Sequence, residues 1–363
     1  MRGAPGGGSR RPRAAMALLL GASLLPKGWA AAAPRASGEP CEGTGPALRS
    51  VGRALDRREW AEADRGLRPL SASHGECAGV VVGLARLRAG SGDFEEAERL
   101  FDRATALAPG DALVHARFAQ YWLSRGQPAR ADYLSELSLS LDPGCAEALV
   151  VQGQILGRKG EAHPARAALE RAAALAPENA EARYQLGVWA FRRKLHAEAA
   201  RHFDEAVALR PRDARARDYL ALALEALGDA EGAEGAYRGA LEANEGPFFD
   251  SFLDHNYGRF LLKQGRLEES RSHLDRAAAL LPGSRAVHYE RAKLNLALER
   301  YPAAREDAER ALGLPDPGGL VLDLQVYYLL ATVYARLGEA ELARKYAELS
   351  RTARIPETGP GRP

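Results

Sequence analysis

Cysteine, methionine and aromatic side chains are scarce in this chain: three Cys, two Met and 7% Phe, Trp and Tyr among 363 residues. With no Cys-x-x-Cys pair and no His-Glu-x-x-His spacing, the usual zinc-site patterns are excluded. The eight histidines are scattered, and His196 and His202, six apart, fall on different faces of any one helix, so they are expected at surfaces or interfaces. No Gly-Lys-Ser/Thr follows the Gly6-Gly7-Gly8 cluster and no Gly-x-Ser-x-Gly elbow occurs, which leaves phosphate-loop and serine-hydrolase chemistry without a motif. Excess charge is lacking too. The net charge is +2, and because residues 1–40 carry +5, the rest carries −3. That is no cationic field for nucleic acid.

Long apolar runs are also missing. The longest near the start, Ala14 to Leu25, is shorter than the roughly 20 residues a membrane helix needs. Its setting has the order of a secretory signal: Arg2, Arg10, Arg11 and Arg13 precede it, Pro26-Lys27-Gly28 end it, and Trp29 with Ala30–Ala33 follows. We therefore expect a signal peptide over 1–33, a leader segment over 34–43, and an exported protein, periplasmic or secreted, with no stable membrane insertion after cleavage. Ser9-Arg10-Arg11 is similar to the start of a twin-arginine signal, so the route stays open. The alternatives are a biased leader without an export role or a start at Met16, with a cytoplasmic protein. Gly38-Glu39-Pro40 before Cys41 does not suit lipidation.

What the chain does have is a period. Pro109, Pro143, Pro177 and Pro211 recur every 34 residues. Ahead of each lie a small residue, a turn, another small residue and a bulky one, as in Ala85, Gly92-Asp93, Ala97, Phe101 and Ala104. Projected along the chain, the register gives units at 44–77, 78–111, 112–145, 146–179, 180–213, 214–247, 251–284, 285–318 and 324–357, with 358–363 a disordered tail. The eighth position holds Ala85, Ala119, Gly153, Gly187, Ala221, Gly258, Ala292 and Ala331; the twentieth holds alanine in every unit except at Ser270. Small residues let two helices approach, and Phe101, Phe203, Tyr237 and Leu274 fill the groove toward the neighbour.

These residues resemble the tetratricopeptide repeat family. The resemblance implies an all-α, right-handed superhelical solenoid of about nine helix-turn-helix units, stabilised between neighbours. It also implies a non-enzymatic scaffold with no cofactor and no metal, binding an extended peptide or a helix of another protein in its concave groove. One subclass grips chaperone tails with Lys and Asn at the fifth and ninth positions; no unit here matches. The alternative is an accessory subunit or substrate-binding arm of an envelope or glycan-modifying enzyme, for which the repeats leave no room for a catalytic domain.

Groove candidates are taken at positions five, nine, twelve and thirteen. They are Arg86, Arg158, Arg192, Arg259, Lys263, Lys293 and Arg336, with Tyr184, Phe191, Tyr289 and Tyr328, against Asp56, Asp218 and Glu225. The excess of positive charge points to an acidic segment; an ordinary solvated face is the competing reading. Insertions at Phe248-Phe249-Asp250 and at 319–323 fall on turns between units. Among the cysteines, Cys77 and Cys145 end units two apart, beyond disulfide reach. Cys41 can fold back on Cys77, and either that bond or three unpaired thiols satisfies the sequence. Oligomeric state and the partner's identity are not encoded in these patterns.

Overall fold

A computed structural model describes residues 41–244, 250–316 and 319–353. The expected signal peptide, nearly all of the leader segment, Phe248, Phe249 and the tail lie outside these residues. Eighteen helices form nine pairs: α1 (Gly45–Asp56) with α2 (Trp60–Ser73), α3 (Ala78–Gly90) with α4 (Phe94–Leu107), α5 (Ala112–Ser124) with α6 (Pro128–Leu141), α7 (Ala146–Arg158) with α8 (Ala162–Leu175), and α9 (Ala180–Arg192) with α10 (His196–Leu209). The remaining pairs are α11 (Ala214–Leu227) with α12 (Ala230–Ala243), α13 (Leu253–Lys263) with α14 (Leu267–Leu280), α15 (Arg285–Ala297) with α16 (Tyr301–Gly313), and α17 (Asp323–Leu337) with α18 (Ala340–Thr352).

Each 34-residue unit holds one pair, and local chemistry marks its ends. The side chains of Asp93, Asp111, Asn179, Asp213, Asp229 and Ser284 accept from the free amides of the following helix, each contributing about 1 kcal/mol. The turn inside each pair reverses through one left-handed residue at the same step of the unit. Glycine supplies it at Gly92, Gly126, Gly160, Gly228, Gly265 and Gly338; Arg58, Lys194 and Glu299 take it without glycine. No glycine signal marked those three turns in the sequence.

Helix packing follows the small-against-large pattern. Phe101, Phe203, Tyr237 and Leu274 are at most 1% exposed, and the alanines at the eighth and twentieth positions beside them are sealed. At Gly187 an added Cβ would sit 2.6 Å from the Phe203 ring. Burying each such ring removes apolar area from water at about 25 cal/mol per Å², and the buried clusters run from pair to pair along the array. The odd-numbered helices also touch one another in succession, from α1 to α3 through to α15 and α17. They form the inner, concave layer, and the even-numbered helices lie outside it.

The two ends differ. At the start, Cys41 is joined to Cys77 with Cα atoms 4.9 Å apart, while Cys145 is free and buried. At the other end α18 has no buried residue, since no further pair among the described residues covers it. Of the histidines expected at surfaces or interfaces, four are buried: His115, His202, His255 and His288. His115 and His288 occupy the fourth position of their units and donate to the carbonyls of Pro109 (2.8 Å) and Pro282 (3.1 Å) in the preceding unit. Arg217, at the same step, does so to Pro211 (3.0 Å). The periodic proline thus offers a carbonyl that ties one unit to the next.

Candidate functional site

The concave layer divides by how its charges are satisfied. On the first helices, Asp56 of α1 accepts from Arg86 of α3 (2.6 Å) and Arg117 of α5 (3.5 Å), and Arg117 continues to Glu147 of α7 (3.0 Å). Burial works against the Asp56 carboxylate, yet Arg117 and Arg86 together hold its pKa below the ordinary range. Burial likewise pushes Arg86 down to about 10, with Arg117 adding to the drop. Further on, Glu181 meets Arg210 (3.3 Å) and Arg215 (3.8 Å), and Arg215 also reaches Asp213 (2.9 Å).

A second stretch lies over α11, α13 and α15. Glu225 accepts from Arg259 (2.9 Å) and Lys263 (2.5 Å), and from the Tyr237 hydroxyl (3.2 Å). Lys293 pairs with Glu290 (2.8 Å) and covers the Tyr289 ring at 5.4 Å. Asp218 is buried; Asn256 donates to its Oδ2 (2.7 Å), and Oδ1 has no partner among the described residues. Burial, reinforced by Asp250, raises its pKa well above the carboxylate range. His255 is pushed down to about 4 by burial, then by Arg259 and Lys293. Four of the seven groove cations, Arg86, Arg259, Lys263 and Lys293, are therefore already neutralised within the chain.

Between these stretches the pattern changes. A cleft of about 210 Å³ opens between α7, α9 and α11, with Arg158, Arg192 and Arg193 on its rim and no carboxylate on its walls. Tyr184 forms its floor, with Tyr219 edge-on at 5.9 Å between ring centroids and Phe191 beyond, 5.8 Å from Tyr219. Gln154 and Gln185 supply amides. Arg193 stacks over Trp189 at 4.5 Å, which fixes its plane while leaving its outer edge in water. Among the described residues Arg158 and Arg192 are exposed and have no ion pair. Flat rings beside guanidinium groups suit an extended chain bearing carboxylates.

The structure thus brings Arg158, Tyr184, Phe191 and Arg192 together and leaves the other candidates apart. Tyr328, 70% exposed, and exposed Arg336 lie on α17, far along the array. Arg193, Tyr219, Gln154 and Gln185 were not among the candidates. Tyr219 and Gln185 stand at the sixth position of their units, the step that also carries Arg117, and Arg193 stands at the fourteenth; neither step was counted, and at the ninth, where Gln154 stands, only charged and aromatic side chains were. Among the described residues no three His, Cys, Asp or Glu side chains are placed to hold a metal, and no helix is long and apolar enough to cross a membrane.

Comparison with known proteins gives a consistent family. A tetratricopeptide repeat profile matches residues 51–112, 82–144, 150–213, 196–246 and 258–319, and a second matches 324–350. No curated protein matches in sequence. Among solved structures, PilW, a type IV pilus biogenesis factor, is 20% identical with a TM-score of 0.51, covering 57% of this chain and 93% of its own. The human IFIT1 dimer with PPP-AAAA is 19% identical with a TM-score of 0.52, covering 81% of this chain and 68% of its own. PilF of Pseudomonas aeruginosa is 19% identical with a TM-score of 0.49, covering 67% and 99%. At these identities the likeness is one of fold.

Proposed function

We infer the function from one premise: the chain belongs to the tetratricopeptide repeat family, whose profiles match well over half of it. It is a protein-protein interaction scaffold. Within that role, we propose that its concave layer binds an extended, acidic segment of a partner protein, seated over the cleft of Arg158, Arg192 and Arg193. The observation that carries this reading is the contrast in pairing. Arg86, Arg259, Lys263 and Lys293 on the same face are satisfied by the chain's own acids, whereas this cleft combines three arginines and aromatic walls with no acid.

Binding is tested with a fluorescent Glu-Gly repeat peptide and its Gln-Gly counterpart, read by anisotropy on the full chain. The Glu peptide binds and loosens as salt shortens the screening length to a few Å; the Gln peptide does not bind. Equal binding of both would remove the acid preference, and binding of neither would remove the cleft. We further propose that the protein is exported, a reading supported by the Cys41–Cys77 bond, since disulfides persist in oxidising compartments. N-terminal sequencing of the native protein should find a start between Ala31 and Glu39; an intact Met1 or Met16 rejects export.

A further inference from the structure

The carbonyl of the periodic proline is met in three ways along the array. In the third unit His115 Nε2 donates to Pro109 (2.8 Å), while its Nδ1 is buried without a partner among the described residues. A ring with one proton satisfies that joint. In the sixth unit Arg217 donates to Pro211 (3.0 Å), and a guanidinium keeps its charge at any physiological pH. In the eighth, His288 Nε2 donates to Pro282 (3.1 Å), but its Nδ1 also meets Oδ1 of Asp307 on α16 (3.2 Å). Both ring nitrogens face acceptors, and only the doubly protonated imidazolium donates to both.

A protonated Asp307 donating to the ring is excluded by its other neighbours. Arg291 donates to both carboxylate oxygens (2.9 Å each) and Asn295 to Oδ2 (2.9 Å). Every contact of this carboxyl is a donor, so it is ionised. Burial works against that charge, yet the bonds from His288 and Arg291 hold the Asp307 pKa below the ordinary range. His288 and Asp307 are each 2% exposed, which leaves no water to replace a lost donor.

The charged groups of the other packed helices are engaged elsewhere. From α14, Asp275 reaches Arg291 (3.8 Å) and not the ring; from α16, Arg310 shares the Pro282 carbonyl (3.2 Å). On α17, Asp323 is held by Arg285 (2.5 Å). On α13, His255 and Arg259 lie toward Lys293, which is paired with Glu290. The pairing also belongs to this unit alone among the three. The twenty-third position, Asp307 here, is Leu134 in the third unit and Ala236 in the sixth. The seventh unit carries the two residue types exchanged, Asp254 at the fourth position and His273 at the twenty-third (2.7 Å), but there only Nδ1 has a hydrogen-bond partner among the described residues, so one proton suffices.

We propose that the joint between the seventh and eighth units is a pH-sensitive coupling: protonated His288 ties α15 to both Asp307 and the Pro282 carbonyl, and loss of its proton breaks the tie to Pro282. A carboxylate is the stronger acceptor, so the remaining N–H stays with Asp307 and the bare Nε2 is left facing the carbonyl. Imidazole changes charge between about pH 5 and 8. Since the intact joint holds the proton, its contribution is present at the acid end and lost as pH rises. The last two pairs, which carry Tyr289, Lys293, Tyr328 and Arg336, then loosen from the rest. This coupling does not depend on the acidic-segment reading.

The full chain, isotope-labelled at histidine, is followed by ring-nitrogen NMR and by amide exchange corrected for its intrinsic pH dependence, from about pH 5 to about pH 8. His288 should hold two ring protons at a pH where His115 holds one, and lose one as pH rises further. Over the same range protection in α15 and α16 should fall about fivefold, the worth of one hydrogen bond, while α5 and α6 keep theirs. His288→Arg, the residue type of the sixth unit, should remove the fall; Asp307→Asn, if that variant does not fold, should make His288 lose its second proton in step with His115. One proton on the His288 ring throughout overturns the coupling. So does a ring with two protons throughout and unchanged protection, or an equal fall in α5 and α6.

Discussion

On α1, α3 and α5, Arg86 and Arg117 close on Asp56, and Arg117 reaches on to Glu147; on α7 and α9, Arg158 and Arg192 face tyrosine rings with no acid beside them. The two regions share a backbone plan and differ at one step. The thirteenth position is Asp56 in the first unit and Arg158 and Arg192 in the fourth and fifth. An acid there reaches the cations of the next units and satisfies them, whereas an arginine there turns outward to solvent. Lys263 stands at the same step and is paired with Glu225 of the preceding unit, so an acid on the adjoining unit, and not the sign of that position alone, separates a stretch satisfied within the chain from one left open.

The largest effect comes from disturbing what supports the cleft from behind. Gly187→Trp places a ring where even a Cβ would lie 2.6 Å from Phe203, and should cost about 3 kcal/mol or more by overpacking, with loss of peptide binding. Gly157→Ala, on the same cleft but with nothing within 4 Å of the added Cβ, should be neutral or stabilising by under about 1 kcal/mol. Equal melting curves for the two would show that α9 and α10 do not meet as described.

Removing the disulfide by Cys41→Ser with Cys77→Ser should cost about 2 to 4 kcal/mol through loop closure. Hydrogen exchange should place the loss in α1 and α2, with the cleft still binding. Faster exchange spread evenly over all nine pairs would erase the distinction between the two regions.

A smaller effect separates the cleft from the stretch beyond it. Because burial and Asp250 raise the folded pKa of Asp218, its contribution is fully present below the unfolded carboxyl pKa of about 3.9. It is lost as pH rises through the folded value. Asp218→Asn removes that loss, so the variant should gain melting temperature over wild type as pH rises from 4 to 8. A difference independent of pH would show Asp218 ionised throughout.

The fold was legible because its causes repeat. Proline every 34 residues, small residues at the eighth and twentieth positions and bulky ones between them are local requirements of helix contact, met afresh in each unit. The site was legible only in part. Arg158, Tyr184, Phe191 and Arg192 were visible from their positions, but summing charges over the face could not tell which were free. Arg86 and Arg117 meet an acid 30 and 61 residues away, and such pairing depends on how successive units are rotated.

The most direct test of the account compares two double substitutions that change net charge equally. Arg158→Gln with Arg192→Gln removes two cations that have no ion pair; Arg259→Gln with Lys263→Gln removes two that share Glu225. Measured by anisotropy with the Glu-Gly peptide, the first pair should weaken binding about tenfold, roughly 1.4 kcal/mol, and the second by less than about twofold, near 0.4 kcal/mol. Equal losses would mean that overall charge, and not the pairing of individual arginines, governs what this face holds.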